Sequence, residues 1–560
     1  MLRAGGQKSN LSLGNICIII VFALILFWGL AVVKDYGISS DEMIQRQHSL
    51  VNYQYVNETL FDREIDYIKD QKDVVSGQPL PKLDEYFYRF YGVSLQLPMV
   101  AIEDANGFQM DNQDIILMRH TACFILFFIA LICFYLTGLL LFSNKWLALV
   151  GSLMIFLFPR FFAEAFYNIK DMAFVSMFMI SLFFMIKMLK TGRKWNWALC
   201  FAASSALTFN IRILGAMLPA AAFVFMIVED LLCKWSNEKS IRTELQTEKS
   251  SIKPQYRWIV YPLVFFAFLG IFILITPASW MNPIDYLKGY VGTFSDFPWE
   301  GKMVFAGQYL SVEETPWYYI PLWMGITLPI LYLIFGGIGI FFLVRNLLRY
   351  KLQGLVKERY GWIMLLLFVL PFVIGIALHV TIYCGWRHVY FLAPPFVLIA
   401  VYGIGKLQNM ISGISWRKIG KWILPVVIIS MFSFQTGWIV YNHPYQNVFF
   451  NVIGRPIANQ YDRDYWRLSN KGLLEYILGN YEGDITILDD NNAKFTAQNV
   501  LPEKMFNRLS FVEAAENPDF ILNTFRLTKG DDYIVEGYTE DYAIWVGGVK
   551  IGSILKNNNL

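Results

Sequence analysis

Apolar and polar positions alternate along this chain in blocks rather than residue by residue. Runs of roughly 20 apolar residues, long enough to cross a hydrocarbon core about 30 Å thick, are separated by short polar stretches. They lie near 16–33, 115–142, 146–158, 172–189, 195–210, 212–232, 258–277, 317–344, 361–380, 389–405 and 422–441. The pattern predicts an α-helical polytopic membrane protein with about eleven transmembrane helices. The stretch 195–232 is too long for one crossing, and Asn210-Ile211-Arg212 interrupts it. Two short helices meeting near the outer surface fit it better than one long one.

Between the runs, basic residues collect in alternate gaps. Lys187, Lys190, Arg193 and Lys194 share one gap. Lys234, Lys239, Arg242, Lys249, Lys253 and Arg257 share the next. Arg345, Arg349, Lys351, Lys357 and Arg359 follow, then Lys406, Arg417, Lys418 and Lys421. If the spans alternate in direction, all four clusters fall on one side, and the excess of Lys and Arg makes that side cytoplasmic. The N-terminus, with Arg3 and Lys8 before the first run and no small-residue cleavage site after it, then reads as a retained cytoplasmic end.

The outer face receives 34–114, 159–171, 278–316 and the tail. In 34–114, Met43, Ile44, Gln47, Leu50, Val51 and Tyr55 follow a helical stripe, and Tyr86, Phe87, Tyr88, Phe90 and Tyr91 form an aromatic cluster. Both features suit helices lying at the membrane–water interface, although a small soluble cap fits the same residues. The tail, 444–560, combines an amphipathic stretch over 465–478 with strand-like runs at 485–488, 520–522, 533–535 and 543–546. The expected organisation is a membrane domain over 1–443 followed by a small extracytoplasmic α/β domain over 444–560.

Composition agrees with the blocks. The 560 residues are 56% hydrophobic and 17% aromatic, with a mean hydropathy of +0.42. Only 16% are charged, against about 25% in soluble chains. A single soluble core is thereby excluded, while the net charge of +3 decides little. The six cysteines all lie in or beside apolar runs, so no disulfide framework is visible. There is no phosphate-binding Walker loop, no dinucleotide fingerprint and no serine nucleophile elbow. Nothing points to nucleic acid.

Three outer clusters can carry chemistry. Asp41-Glu42 follows the first span, with Asp35 close by. A carboxylate at the mouth of a membrane cavity is a general-base candidate, since partial burial strengthens it as a base. The same pair also suits a solvated helix N-terminus. The second cluster runs from Pro159 to Asp171 and holds Arg160, Glu164, Lys170 and Asp171, which are costly so near hydrocarbon unless paired or used. It reads either as structural ion pairs or as a phosphate or metal site. The third is Cys384-Gly385-Trp386-Arg387-His388, with Arg212 as a further outward cation. A guanidinium suits phosphate because its donors form a planar fork. His379, inside a span, reads as a satisfied core histidine. No metal-ligand spacing is present, although a divalent cation can bind carboxylates such as Asp171 with few protein ligands.

Taken in order, these pieces resemble the GT-C superfamily of multi-spanning glycosyltransferases, and in particular glycosyltransferase family 39, the protein O-mannosyltransferases, and the lipid A aminoarabinose transferases. Asp41-Glu42 is similar to the family's acidic pair after the first helix. Pro159 through Asp171 is similar to its second outer-loop motif, and Asn210 through Gly215 to a recurring segment. Glu314-Thr315-Pro316-Trp317-Tyr318-Tyr319 with Thr327-Leu328-Pro329, Trp386-Arg387-His388 and His443-Pro444-Tyr445-Gln446 also fit. Region 278–316 is too short for the large inserted domain of the eukaryotic members, which favours a bacterial type acting on an envelope glycan.

The resemblance implies a GT-C-like fold and a polyprenyl-phosphate sugar as donor. The acceptor is a hydroxyl of a glycan, lipid or protein, with membrane lipids around the spans. Lys170, Arg212, Arg387 and His388 would bind the donor phosphate. Asp171 would organise the acceptor or a divalent cation, and Asp41, supported by Glu42, would be the base of an inverting transfer. A transporter or lipid flippase is the competing class, but such proteins often show internal repeats, and none is visible here.

Overall fold

A computed structural model describes residues 12–107, 110–235, 258–295, 300–377, 380, 382–412 and 417–560. Arg3, Lys8, His379 and the basic residues from Lys239 to Arg257 lie outside them.

Every apolar run forms helix. The helices are Leu13–Val32, Asn112–Phe142, Lys145–Phe156, Asp171–Lys190, Trp195–Ile211, Met217–Trp235, Val260–Leu274, Tyr319–Thr327, Ile330–Lys357, Arg359–Ala377, Ala393–Ser412 and Arg417–Tyr441. Among the described residues, eight are long and apolar enough to span a bilayer, or nine if one bent pair is a single span. Trp195–Ile211 and Val260–Leu274 are shorter. The 317–344 run is broken at Leu328-Pro329, where the chain turns extended before helix resumes.

The bent pair departs from the sequence expectation. Residues 159–171 read as an outer loop, but Pro159–Tyr167 is a helix, set at 65° to Lys145–Phe156. The cause is local. A residue before proline is pushed out of the helical region, so Phe158 is extended, and Pro159 then occupies the first turn, where its missing N–H costs nothing. The resulting short helix is buried along its whole length.

Two spans form the centre. The helix from Asp171 is 78% buried and the one from Arg387 is 83% buried, whereas the other qualifying spans are between 22% and 39% buried. Glycines permit close packing around the second of these. A Cβ on Gly339 would lie 2.1 Å from the Ile399 carbonyl oxygen, and one on Gly403 would lie 2.5 Å from that of Phe335.

The region 34–114, expected on the outer face, does hold helices, at Glu42–Phe61 and Leu97–Asn106. The predicted stripe buries Gln47, Leu50 and Val51. The fixation is ionic, which the stripe did not show. Fully buried Glu103 accepts from Arg46 Nε at 2.8 Å, Arg119 Nε at 2.9 Å and the Tyr67 hydroxyl at 3.1 Å. Arg119 belongs to the Asn112–Phe142 span, so this network fastens the helices of 34–114 to the bundle.

The chain after Tyr441 threads back through the bundle before it forms a sheet. Asn451 Nδ2 donates to the carbonyls of Gly325 and Leu328, both at 2.7 Å. Asp462 exchanges hydrogen bonds with Val304 on β1 (Met303–Phe305), which pairs antiparallel with β2 (Gln308–Leu310). The helix expected at 465–478 runs over Ser469–Asn480. A five-stranded sheet follows, in the order β4-β3-β5-β7-β6. Its strands are β3 (Ile485–Leu488), β4 (Leu509–Val512), β5 (Phe520–Asn523), β6 (Tyr538–Val546) and β7 (Val549–Asn557). Strand β3 runs parallel to β4 and β5, and β7 antiparallel to β5 and β6. Residues 533–535, expected as a strand, form none. The tail is thus an α/β unit in which three of the four expected strands appear.

Candidate active site

The two central spans present their N-terminal ends to the same point, and the charged residues singled out in the sequence meet there. Asp171 opens one helix, where the unpaired N–H groups and the dipole favour negative charge. Asn168 fixes it, accepting the Asp171 N–H at 2.8 Å through Oδ1 and donating from Nδ2 to Asp171 Oδ2 at 3.2 Å and Glu164 Oε2 at 2.7 Å. Glu164 also accepts from the hydroxyls of Tyr390 at 2.7 Å and Tyr465 at 2.9 Å. Glu164 therefore has a structural environment that ties three segments together.

Arg387 opens the other central span. Its Nη1 lies 3.1 Å from Asp41 Oδ2 and 3.3 Å from Asp171 Oδ2. Its guanidinium is over the Trp466 ring at 4.5 Å and the Tyr383 ring at 5.3 Å. Arg212 Nη2 pairs with Asp171 Oδ1. It reaches there because the Trp195–Ile211 helix ends at Arg212, whose backbone is extended. Asn210 holds that end. Its Nδ2 donates to Thr276 Oγ1 at 2.8 Å and its Oδ1 accepts the Ser94 N–H at 3.1 Å. Gly92 makes the contact possible, since a Cβ there would lie 1.7 Å from the Asn210 carbonyl oxygen.

Lys170 places its ammonium 3.6 Å above the Tyr91 ring and has no ion pair among the described residues. Burial, and then the Arg212 charge, hold it well below the usual lysine range. His388 packs edge-on against Tyr383 at 4.5 Å between ring centres. Burial pushes the Tyr383 hydroxyl up to about 12.

The structure therefore joins Asp41, Asp171, Arg212 and Arg387 by direct contact, with Lys170 and His388 beside them. Glu42 is set apart. It is buried, accepts the Ser39 N–H at 2.6 Å and pairs with His120 Nε2 at 2.7 Å. Asp35 is set apart as well, 2.9 Å from His443 Nε2, in a latch that Gln446 completes by bonding to His443 Nδ1 at 3.0 Å and to the Tyr36 hydroxyl at 3.1 Å. Sequence reasoning missed Tyr383 and Trp466. Their only signal was aromatic character next to Cys384 and at the start of the amphipathic stretch.

Among the described residues no group of three or more His, Cys, Asp or Glu side chains is placed to hold a metal ion. Both oxygens of Asp171 are in ion pairs, so a cation there would have to displace an arginine.

Comparison with known proteins bears on this arrangement. Residues 112–242 match a family model described as dolichyl-phosphate-mannose-protein mannosyltransferase. The resemblance to the multi-spanning glycosyltransferases thus holds in that segment by the family model as well as by motif, and the segment contains Lys170, Asp171 and Arg212. No curated protein matches the chain in sequence. Among solved structures, ArnT from Cupriavidus metallidurans bound to undecaprenyl phosphate is similar at 11% identity and a TM-score of 0.47, covering 96% of this chain and 98% of that one. The Archaeoglobus fulgidus oligosaccharyltransferase is similar at 10% identity and a TM-score of 0.46, covering 87% of this chain and 63% of that one. The same archaeal enzyme, AglB, in complex with an inhibitory peptide and a dolichol-phosphate gives 10% identity and a TM-score of 0.45, with the same coverage. Superpositions this loose assign no role to any residue here.

Proposed function

We propose that this chain is an integral membrane glycosyltransferase that moves a sugar from a polyprenyl-phosphate-linked donor to a hydroxyl acceptor at the extracytoplasmic face. One observation carries the reading. A single guanidinium nitrogen, Arg387 Nη1, bridges Asp41 and Asp171 where two buried spans begin, with Arg212 and Lys170 beside it. The family match over 112–242 supports a lipid-phosphate-linked sugar as donor.

The chemistry accounts for the residue types. The acceptor oxygen forms a bond to the anomeric carbon, the bond from that carbon to the phosphate oxygen breaks, and the sugar's configuration inverts. The hydroxyl proton goes to Asp41. The lipid phosphate leaves as an anion, so it needs cations rather than a general acid. Arg387 and Lys170 receive it, Arg212 holds Asp171 in place, and His388 lines the same wall. A phosphate drawing Arg387 toward itself loosens the Arg387–Asp41 pair, which frees the base when donor is bound. Asp41, whose side chain is 42% exposed, remains within reach of an acceptor. Glu42, engaged with His120 and Ser39, supports Asp41 by fixing the turn that carries it.

The test is an assay of the purified chain in lipid nanodiscs with a panel of short-chain prenyl-phosphate sugars, following release of the lipid phosphate. Release coupled to sugar transfer is expected. Movement of intact donor across a proteoliposome membrane without release would replace this reading with a transporter.

A further inference from the structure

The end of the bundle opposite the candidate active site holds a cavity that the transfer reaction does not use. The span that opens with Arg387 runs about 30 Å, at roughly 1.5 Å per residue, before it reaches Lys406. There a cavity of about 280 Å³ lies between this span and the helices Asn112–Phe142, Lys145–Phe156, Ile330–Lys357 and Arg359–Ala377. The cavity is graded. Its floor is Leu343, Met364, Leu398 and Ile399, all buried. Its rim is Lys357, Glu358, Tyr402, Lys406 and Asn409. Leu398 and Asn409 share one helix, so the change from apolar to polar lining takes place over about 16 Å of it.

The backbone builds the rim. The helix Ile330–Lys357 is broken at Lys351, whose φ is +45°. The segment after the break turns back onto Asn346. Gly354 permits this, since a Cβ there would lie 2.3 Å from the Asn346 carbonyl oxygen. The turn brings Lys357 and Glu358 to the cavity. Lys406 Nζ donates to Glu358 Oε1 at 2.9 Å and lies 4.8 Å from the centre of the Tyr402 ring. Asn346 Nδ2 donates to the same Glu358 oxygen at 3.0 Å and to the Tyr402 hydroxyl at 3.4 Å. These bonds fix the rim between the folded-back segment and the span that carries Arg387.

Charge at the rim does not balance. Glu358 pairs with Lys406, while Lys357 has no ion pair among the described residues. An ammonium has three donors, so Lys406 keeps two beyond its bond to Glu358. The rim therefore carries a net positive charge. It lies at the end of the spans where Lys187, Lys190, Arg345 and Arg349 also fall. A hydrated inorganic anion gains nothing from an apolar floor. A lipid with an anionic head matches both parts: its phosphate meets the lysines, and its glycerol and first acyl carbons meet the floor.

We propose that this cavity binds the headgroup of an anionic phospholipid, with the phosphate between Lys357 and Lys406. The lipid then joins the spans at the end away from Arg387. The inference does not depend on the glycosyltransferase reading.

The test uses the full chain, delipidated in detergent, with dioctanoyl phosphatidylglycerol as the probe and native mass spectrometry as the readout. Dioctanoyl phosphatidylcholine and inorganic phosphate are the comparisons. Wild type is expected to bind one phosphatidylglycerol in preference to phosphatidylcholine, and an equal concentration of inorganic phosphate should not displace it. One charge at such a site changes affinity about fivefold. K357Q should weaken binding by that factor. E358Q removes the competing carboxylate yet keeps an oxygen to accept from Lys406 and Asn346, so it should strengthen binding by the same factor. Opposite signs separate a headgroup site from a structural ion pair, whose loss would weaken binding. Equal affinity in wild type, K357Q and E358Q would overturn the proposal. So would equal binding of phosphatidylcholine, or displacement by inorganic phosphate, which would give the cavity to a soluble anion. Polyprenyl phosphate affinity should stay the same in both variants; a parallel change would place the cavity on the donor's path and overturn the proposal as well.

Discussion

Replacing Arg387 by glutamine probes the site at its junction. The substitution keeps a polar, hydrogen-bonding side chain, shorter than arginine, but removes the charge that faces Asp41 at 3.1 Å and Asp171 at 3.3 Å. A hydrogen bond to a charged group is worth about 1.5–3 kcal/mol net. The Asp171 contact is buried on both sides, so it counts in full. Asp171 keeps Arg212 and Asn168, so it is not left wholly uncompensated, and the larger penalty of an orphaned buried charge does not apply. The Asp41 contact is screened by solvent, because that side chain is 42% exposed, and contributes only about 0–1 kcal/mol. The sum is a stability loss of about 2–4 kcal/mol. Donor binding loses the same kind of bond to phosphate, which corresponds to a weakening of about tenfold to a hundredfold. Thermal unfolding in nanodiscs measures the first quantity, and titration with polyprenyl phosphate the second. Both contacts use one nitrogen, so R387K should recover part of each. A variant that loses stability yet binds polyprenyl phosphate like wild type would show that Arg387 only braces the two acids, and the donor-site argument would fail.

Three further outcomes follow from the same geometry. Lys170 has a depressed affinity for its proton, and a bound phosphate favours the ammonium form; polyprenyl phosphate affinity should therefore fall as pH rises through the lysine's lowered pKa, and binding should take up protons. Calorimetry in buffers of different ionisation heat would show this uptake, K170M should abolish it, and its absence in wild type would contradict the assignment. Glu103→Gln leaves Arg46 and Arg119 buried without their shared carboxylate, and should cost about 3–5 kcal/mol and expose the outer helices to protease; a change below about 1 kcal/mol would mean the network is not what fastens them. Burial pushes the Asp462 carboxyl up to about 7 from an ordinary 3.8, so the folded state favours the protonated form. Its contribution is present at low pH and lost as pH rises through about 7. Unfolding temperatures across that window should decline less in D462N, and parallel profiles would refute the point.

The apolar runs were legible as helix because a bilayer demands such runs whatever the partners of each helix, but about eleven crossings were expected and, among the described residues, eight helices are long and apolar enough to cross, or nine with the bent pair. The bend at Phe158-Pro159 was written in the proline, yet it was obscured by the charges that follow, which made 159–171 look like a loop. Asp41, Lys170, Asp171, Arg212 and Arg387 could be selected because charge next to hydrocarbon is expensive and therefore needs a reason. The separation of Glu42 from Asp41 could not be read, since it depends on His120, far along the chain. The tail was partly legible. Strands β3 and β5 alternate or run apolar, whereas β7 was missed, and residues 533–535 carry strand-forming side chains but lack a partner strand.

The account turns on the Asp41 carboxylate accepting a proton while the cations behind it take the phosphate. Single-turnover transfer by D41N, with donor affinity measured on the same preparation, tests this most directly. The expected result is turnover lower by about a hundredfold or more at nearly unchanged donor affinity. Turnover equal to wild type would contradict it and remove Asp41 from the chemistry.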